Sequence, residues 1–188
     1  MTVAAVPVKD LSRAKSRLQG AIHDRPALTL RLLGSVVEAL GRSGAVDRIL
    51  VVSPDPRVGE ACGELGVEFV RQHGRGLNRA LELARDRAVE LGARRLLVSL
   101  ADLPHLSPRE VTELLAQGPG VVLAPDREEQ GTNLLLCEPP GCIPYRFGPD
   151  SLRRHRAEAE GRGLAVRIYR SPGTQRDLDV PAHLGGTV

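Results

Sequence analysis

The stretch RLLVSLADLP, residues 95–104, is the part of the sequence that decides the fold. Its centre is apolar at successive positions, which is the pattern of a strand buried on both faces within a parallel sheet. We therefore predict a strand over residues 95–100. Asp102 follows that strand closely, at the end where ligands gather in open α/β sheets. The stretch thus predicts an α/β fold and makes Asp102 the first candidate for a functional site.

Short β-like runs alternate with helix-length amphipathic segments along the chain, which is typical of an α/β fold with a mainly parallel sheet. The predicted strands are residues 3–8, 48–53, 67–70, 95–100, 121–124, 134–137 and 164–169. The predicted helices are residues 25–42, 54–66, 77–91 and 150–161, and a further helix that begins at the capping box of Ser107 and Glu110. We find no internal repeat or linker, so we expect a single domain over residues 1–188.

The composition is that of a soluble globular protein, with 41% hydrophobic and 26% charged residues among 188. The chain has no Trp, two Tyr and two Phe, which argues against a platform that stacks the bases of single-stranded nucleic acid. The net charge is only +3, and basic residues are interleaved with acids. We therefore expect a small anionic substrate rather than a nucleic-acid partner.

The cysteine pattern and the hydropathy bear on location. Cys62, Cys137 and Cys142 have no second Cys/His pair nearby that would complete a zinc site, so we expect reduced thiols in a cytoplasmic protein. No apolar run approaches the roughly 20 residues that span a membrane, so we expect no membrane partner. The N-terminus has neither a basic segment nor a cleavage site, so residues 2–8 are expected to form a strand rather than a signal peptide.

Lysine occurs only at positions 9 and 15, although the chain has 26 Lys and Arg residues in all. Both lysines lie in the segment VPVKDLSRAKSRL, residues 6–18, straight after the first predicted strand. The compact ammonium group of lysine binds phosphate as a point charge. This segment is either a phosphate-binding loop or an ordinary solvated N-terminal loop.

Acidic residues form a second candidate group. Asp177 and Asp179 are two residues apart, so in an extended segment their carboxylates would point to the same side. With Asp102 they would provide three hard oxygen ligands, which suit Mg²⁺ bound beside substrate phosphates. A basic loop combined with such a cluster is what an enzyme that handles a Mg-nucleotide needs. A surface DLD can equally be a turn or a helix cap.

Three further segments contain residues suited to binding. In HGRGLN, residues 73–78, the glycine Gly76 permits close approach of a ligand, and Asn78 has a donor and an acceptor for a base or ribose. GTN, residues 131–133, and FGPDS, residues 147–151, complete the set, and the helix start at Ser151 could bind an anion. A tight turn and ordinary helix capping explain the same residues.

Taken together, these segments resemble the guanylyltransferases of deazaflavin coenzyme F-420 biosynthesis, which act on 2-phospho-L-lactate or phosphoenolpyruvate. The segments that carry the resemblance are VPVKDLSRAKSRL, GLNRAL, Asp102-Leu103-Pro104, APDREEQGTNLLL, PYRFGPDSLRRH and DLDVP. They run in order through nearly the whole chain. The glycine pattern GG-x-S-x-R-M of molybdenum-cofactor nucleotidyltransferases is missing from the first loop.

The resemblance implies a three-layer α/β/α sandwich with a mainly parallel mixed sheet, similar to nucleotide-diphospho-sugar transferases. It implies catalytic roles for Lys15 and Asp102, and Mg²⁺ as the cofactor. The residues that it implies for each partner are Lys9, Arg13, Lys15, Gly76 and Asn78 for GTP, Thr132, Gly148 and Ser151 for phosphoenolpyruvate, and Asp102, Asp177 and Asp179 for the metal.

The expected reaction is attack of the acceptor's phosphate oxygen on the α-phosphorus of GTP, with release of pyrophosphate. A phosphate monoester is largely dianionic at neutral pH because its second pKa is about 6, so no general base is required. His73, His105 and His155 are accordingly expected to be structural or incidental. The alternatives are a nucleotidyltransferase for a sugar phosphate or molybdopterin, and a non-catalytic GTP-binding regulator. The sequence leaves the oligomeric state unknown.

Overall fold

The computed structural model describes residues 1–12 and 24–177, and strands and helices alternate through these ranges. The strands are β1 (Thr2–Pro7), β2 (Arg48–Ser53), β3 (Glu68–Arg71), β4 (Arg95–Ser99), β5 (Gly120–Pro125), β6 (Thr132–Glu138) and β7 (Val166–Ile168). The helices are α1 (Arg25–Arg42), α2 (Pro56–Leu65), α3 (Leu77–Glu90), α4 (Pro108–Leu115), α5 (Ser151–Glu160) and α6 (Pro172–Gln175). None of these described helices is both long and apolar enough to cross a membrane.

The strands form one sheet in the order β3-β2-β1-β4-β6-β5-β7. Strand β6 is antiparallel to both of its neighbours, and the remaining pairs are parallel, which confirms the expected mainly parallel mixed sheet. The chain first builds the sheet from β1 toward β3 and then returns to the other side of β1 to form β4. At such a reversal of strand order, a crevice opens at the carboxyl ends of the strands on either side.

Helices cover both faces of the sheet, as the three-layer arrangement requires. Helices α1, α2 and α4 pack on one face, and α3 and α5 pack on the other. Each face of the sheet has its own hydrophobic core. In β4, Leu97 belongs to the core beneath α1, α2 and α4, whereas Leu96 and Val98 belong to the core beneath α3 and α5. All three side chains are at most 1% exposed, which confirms that β4 is buried on both faces.

Local signals account for most of the helix starts. Asp24 caps α1 by accepting a hydrogen bond from the amide of Ala27 at 2.9 Å, and the predicted capping box of Ser107 and Glu110 opens α4. The predicted start of α2 was two residues early, because Asp55 is the N-cap and the helix begins at Pro56. Helix α6 was not predicted, since its four residues are too few to show a helical period.

Candidate active site

A cavity of about 760 Å³ opens where β1 and β4 end. It lies at the crevice expected from the strand order, and its volume is in the range of about 300–1,000 Å³ that is typical of small-molecule sites. Its wall includes Lys9 and Asp10 after β1, Arg75 and Gly76 before α3, Asp102 after β4, and Asp177. The cavity therefore joins cationic and anionic side chains from four separate segments of the chain.

The segment that follows β1 is fixed to helix α2 by Asp55. One carboxylate oxygen of Asp55 accepts a hydrogen bond from the buried amide of Leu11 at 3.0 Å, and the other accepts from the amide of Arg57 at 3.0 Å. The guanidinium of Arg57 also donates to both oxygens, and together these donors lower the pKa of Asp55 to about 2. Lys9, two residues before Leu11, is exposed at the cavity.

The N-terminus of α3 forms another part of the cavity wall. Gly76 caps the helix with a φ of 107°, a conformation that side chains rarely adopt, and provides no side-chain acceptor for the first turn. The side-chain amide of Gln72 donates from Nε2 to the carbonyl of Gly76 at 3.0 Å and holds this turn. Because a helix N-terminus carries partial positive charge, this part of the wall favours an anionic group.

Glu110 connects the two segments that hold Asp102 and Asp177. At the start of α4, one of its carboxylate oxygens accepts from the amide of Ser107 at 2.9 Å, and the other accepts from the amide of Gly173 in α6 at 2.8 Å. Burial opposes ionisation of Glu110, but the donors from Gly173 and Ser107 outweigh it, so the pKa is lowered on balance. The start of α4, which follows the loop after β4, is therefore held to helix α6.

Asp102 and Asp177 fit a divalent cation by their chemistry. Both line the same cavity, and Mg²⁺ commonly takes one or two protein carboxylates beside substrate phosphates. Within residues 1–12 and 24–177, no three His, Cys, Asp or Glu side chains gather as a metal site. Asp179, the third predicted ligand, lies outside the described residues. The metal assignment thus stays a prediction that rests on two carboxylates.

The residues predicted for the acceptor come together beside this cavity. Because β6 runs antiparallel to β4, its first residue lies at the edge where β4 ends, and the amide of Leu100 donates to the carbonyl of Asn133 at 3.0 Å. The hydroxyl of Thr132 is 3.1 Å from Nδ1 of His155. Ser151 lies one turn before His155 on the same face of α5, and its amide donates to the carbonyl of Gly148 at 3.2 Å.

Asn78 is not part of the cavity wall but follows Leu77, which is, and it contacts the loop that leads to Gly148. Its Oδ1 accepts a hydrogen bond from the amide of Phe147 at 2.9 Å, and its Nδ2 donates to the carbonyl of Phe147 at 3.2 Å. This pair of bonds fixes the loop before α5 against the first turn of α3. The contact of Asn78 with the nucleoside stays a prediction, and in the structure its side chain is hydrogen-bonded to the backbone of Phe147.

The sequence pattern of the family described as "Guanylyl transferase CofC like" matches residues 2–188. The chain belongs to this guanylyl transferase family. A protein named phosphoenolpyruvate guanylyltransferase from Rubrobacter xylanophilus is 49% identical over 187 residues, which cover 96% of this chain and 90% of the relative. A protein of the same name from Sphaerobacter thermophilus is 44% identical over 97% of this chain and 90% of the relative.

A solved structure shares the fold of this CofC-like chain. A protein from Desulfovibrio desulfuricans described as a nucleotide-diphospho-sugar transferase superposes with a TM-score of 0.77, over 95% of this chain and 82% of that protein. Its sequence identity is 17%, so the likeness concerns the fold alone. The expected similarity to nucleotide-diphospho-sugar transferases is confirmed at that level.

The structure of this CofC-like guanylyl transferase locates part of the predicted site. Arg13 and Lys15 lie outside the described residues, so their contacts with GTP stay predictions. Thr132, Gly148 and Ser151 are grouped together but are not part of the cavity wall. Asp10 and Arg75 also line that wall and were not among the predicted site residues, although both belong to the segments VPVKDLSRAKSRL and HGRGLN.

Proposed function

We propose that this chain is a guanylyltransferase that joins GMP from GTP to the phosphate of phosphoenolpyruvate and releases pyrophosphate, in deazaflavin coenzyme F-420 biosynthesis. The observation that carries the proposal is that the group formed by Thr132, Gly148 and Ser151 lies next to the cavity at β1 and β4, since the wall residue Leu100 donates to the carbonyl of Asn133, and Asn78, which follows the wall residue Leu77, is hydrogen-bonded to Phe147. The names of the relatives support phosphoenolpyruvate as the acceptor. We further propose that residues 1–188 form a single nucleotidyltransferase domain.

In the proposed reaction, a phosphate oxygen of the acceptor attacks the α-phosphorus of GTP. A new P–O bond forms in line with the bond to the bridging oxygen of the β-phosphate, which breaks as pyrophosphate leaves. The acceptor needs no general base because its phosphate is largely dianionic at neutral pH, with a second pKa of about 6. His155 is not available as a base, because its Nε2 accepts a hydrogen bond from the amide of Arg146 at 2.9 Å.

The protein's part is to position the substrates and to neutralise charge. The ammonium group of Lys9, the guanidinium of Arg75 and the N-terminus of α3 are on the cavity wall, where they would meet the negative phosphates. We propose Mg²⁺ as the cofactor, held by Asp102 and Asp177, and when bound it would neutralise charge that develops on the phosphate oxygens. Lys15 is proposed to contact the triphosphate.

A cytoplasmic location is part of the proposal. Cys62 and Cys137 are buried free thiols and Cys142 is a partly exposed one, which fits a reducing compartment. The proposed partners are GTP and phosphoenolpyruvate.

The proposal is tested by incubating the protein with GTP, Mg²⁺ and one acceptor at a time, then measuring pyrophosphate and the mass of the product. The acceptors are phosphoenolpyruvate, 2-phospho-L-lactate, 3-phosphoglycerate and a sugar phosphate. We expect the guanylylated product with phosphoenolpyruvate. Turnover with the sugar phosphate alone would indicate the other type of nucleotidyltransferase. Binding of GTP without turnover of any acceptor would indicate a regulator.

The variant Asp102→Asn tests the site itself. It keeps the shape of the side chain and removes its charge, so we expect the rate of pyrophosphate release to fall by about 100-fold or more while the fold is retained. The matched control is Asp86→Asn, which removes an exposed carboxylate from α3 that is not part of the cavity wall. A near-normal rate for a folded Asp102→Asn protein would contradict the metal assignment, and full activity after chelation would contradict the dependence on Mg²⁺.

A further inference from the structure

His155 lies between the strand and the loop that form the acceptor group. Its side chain is completely buried, and its ring packs edge-to-face on Phe147 with a centroid distance of 4.7 Å. Both ring nitrogens are engaged: Nδ1 is 3.1 Å from the hydroxyl of Thr132, and Nε2 is 2.9 Å from the amide of Arg146. The imidazole thus bridges the first residue of β6 and the loop that leads to Gly148.

These contacts determine which nitrogen of His155 carries the proton. A backbone amide can only donate, so Nε2 must be the acceptor for Arg146. Burial lowers the pKa of His155 to about 4, so the ring is neutral at neutral pH and has one N–H. That N–H is therefore on Nδ1, and it donates to the hydroxyl oxygen of Thr132.

This direction of donation determines what Thr132 can do. A hydroxyl has one hydrogen, and its oxygen here accepts the bond from His155, so its own hydrogen is left to be donated. Ser151, whose side chain is 2% exposed, lies one helical turn from His155 on the same face of α5. The hydroxyl of Thr132 consequently keeps a hydrogen to donate, within a group of residues proposed to bind an anion.

We infer that His155 is a positioning residue for the acceptor, which holds the Thr132 hydroxyl as a hydrogen-bond donor toward the anionic groups of phosphoenolpyruvate. This inference rests on the proposed function, since it assigns a role within the acceptor site. The same ring fixes the amide of Arg146, two residues before Gly148, and so keeps the acceptor loop in place. The role of His155 is to orient groups that contact the acceptor.

Two substitutions separate the contacts of the ring. In His155→Asn, the amide nitrogen takes the place of Nδ1 and can still donate to Thr132. In His155→Gln, the amide oxygen takes the place of Nε2 and accepts from Arg146, while the donor to Thr132 is lost. We expect His155→Gln to raise the KM for phosphoenolpyruvate about tenfold or more, because the hydroxyl of Thr132 would no longer be held as a donor to a charged ligand. His155→Asn keeps the donor to Thr132 and should raise this KM less.

The KM for GTP distinguishes positioning from a purely structural role, and we expect it to stay within about twofold of wild type in both variants. A His155→Gln protein with an unchanged KM for phosphoenolpyruvate would overturn the inference, and so would an equal rise of both KM values. Adding His155→Gln to Thr132→Val should cause no further rise, because residues that act through one contact are not additive. If the two substitutions instead raised the KM for phosphoenolpyruvate by independent factors that multiply in the double variant, the inference would be overturned.

Measurements on the wild-type protein and on variants of Thr132 keep the inference testable if His155→Gln does not fold. Nitrogen-15 NMR of the wild-type ring should show the proton on Nδ1, and a proton on Nε2 would overturn the assignment. Thr132→Ser, which retains a hydroxyl, should keep the KM for phosphoenolpyruvate that Thr132→Val loses, and equal effects would overturn the donor role. Failure of the wild-type protein to use GTP and phosphoenolpyruvate would instead overturn the proposed function, whatever the NMR result.

Discussion

Mild acid should destabilise the folded protein through His155. Burial is the main cause that lowers its pKa from 6.5 to about 4, with a smaller lowering from the Arg146 guanidinium and an opposing effect of Glu158. As the pH falls below about 6.5, the unfolded chain binds a proton at this ring and the folded protein does not, so the unfolded state is favoured. Above that pH neither state binds the proton, and below about 4 both do.

The size of the effect follows from the two pKa values. Each pH unit between them lowers the free energy of unfolding by about 1.4 kcal/mol, which amounts to about 3 kcal/mol over the whole window. That loss is a large fraction of the roughly 5–15 kcal/mol by which a typical domain is stable. Carboxylates also titrate in this range, so the contribution of His155 must be measured as a difference between two proteins.

Urea unfolding followed by far-UV circular dichroism provides the assay, since the chain has no Trp for fluorescence. The free energy of unfolding is compared for wild type and His155→Asn at several pH values between about 7 and about 4.5. We expect the variant to be less stable at neutral pH but to lose about 1.4 kcal/mol less per pH unit than wild type. His73→Asn is the control for removal of an exposed imidazole. Parallel losses in wild type and His155→Asn would refute the reasoning.

Three further predictions concern the loop after β1 and the packing of the sheet. Asp55→Ala removes an N-cap and the acceptor of the buried Leu11 amide, so urea unfolding should show a loss of about 2–4 kcal/mol; an unchanged midpoint would contradict the anchoring role. Gly120→Ala would place a Cβ 2.5 Å from the carbonyl oxygen of Ala165 at a φ of 103°, so calorimetry should show a clear fall in Tm, by an amount equivalent to about 2 kcal/mol or more. Lys15→Ala should raise the KM for GTP about tenfold. If the KM for GTP and the turnover were unchanged, Lys15 would be ordinary surface charge.

The sequence predicted the features that depend on neighbouring residues. The apolar run of β4, the aspartate that follows it and the caps of α1 and α4 are all encoded within a few positions of one another. Contacts between distant segments could not be predicted in the same way. Asn78 pairs with Phe147, and His155 bonds with Thr132, only because folding brings distant segments together. The sequence therefore indicated a nucleoside contact for Asn78 and no functional role for His155.

The reversed direction of β6 has a consequence for how substrate preference can change. The residues proposed for the nucleotide follow strands that end at the edge of the sheet where the cavity lies. Thr132, in contrast, is the first residue of β6, a strand that begins at that edge. The hairpin between β5 and β6 therefore leads directly into the acceptor group, through a loop in which Asp126 accepts from the amides of Gln130 and Gly131. We therefore expect insertions or replacements in this loop to alter the proposed acceptor group while β1 and β4 stay as they are. On the proposed function, the preference for the acceptor can thus change without a change in the residues proposed for the nucleotide.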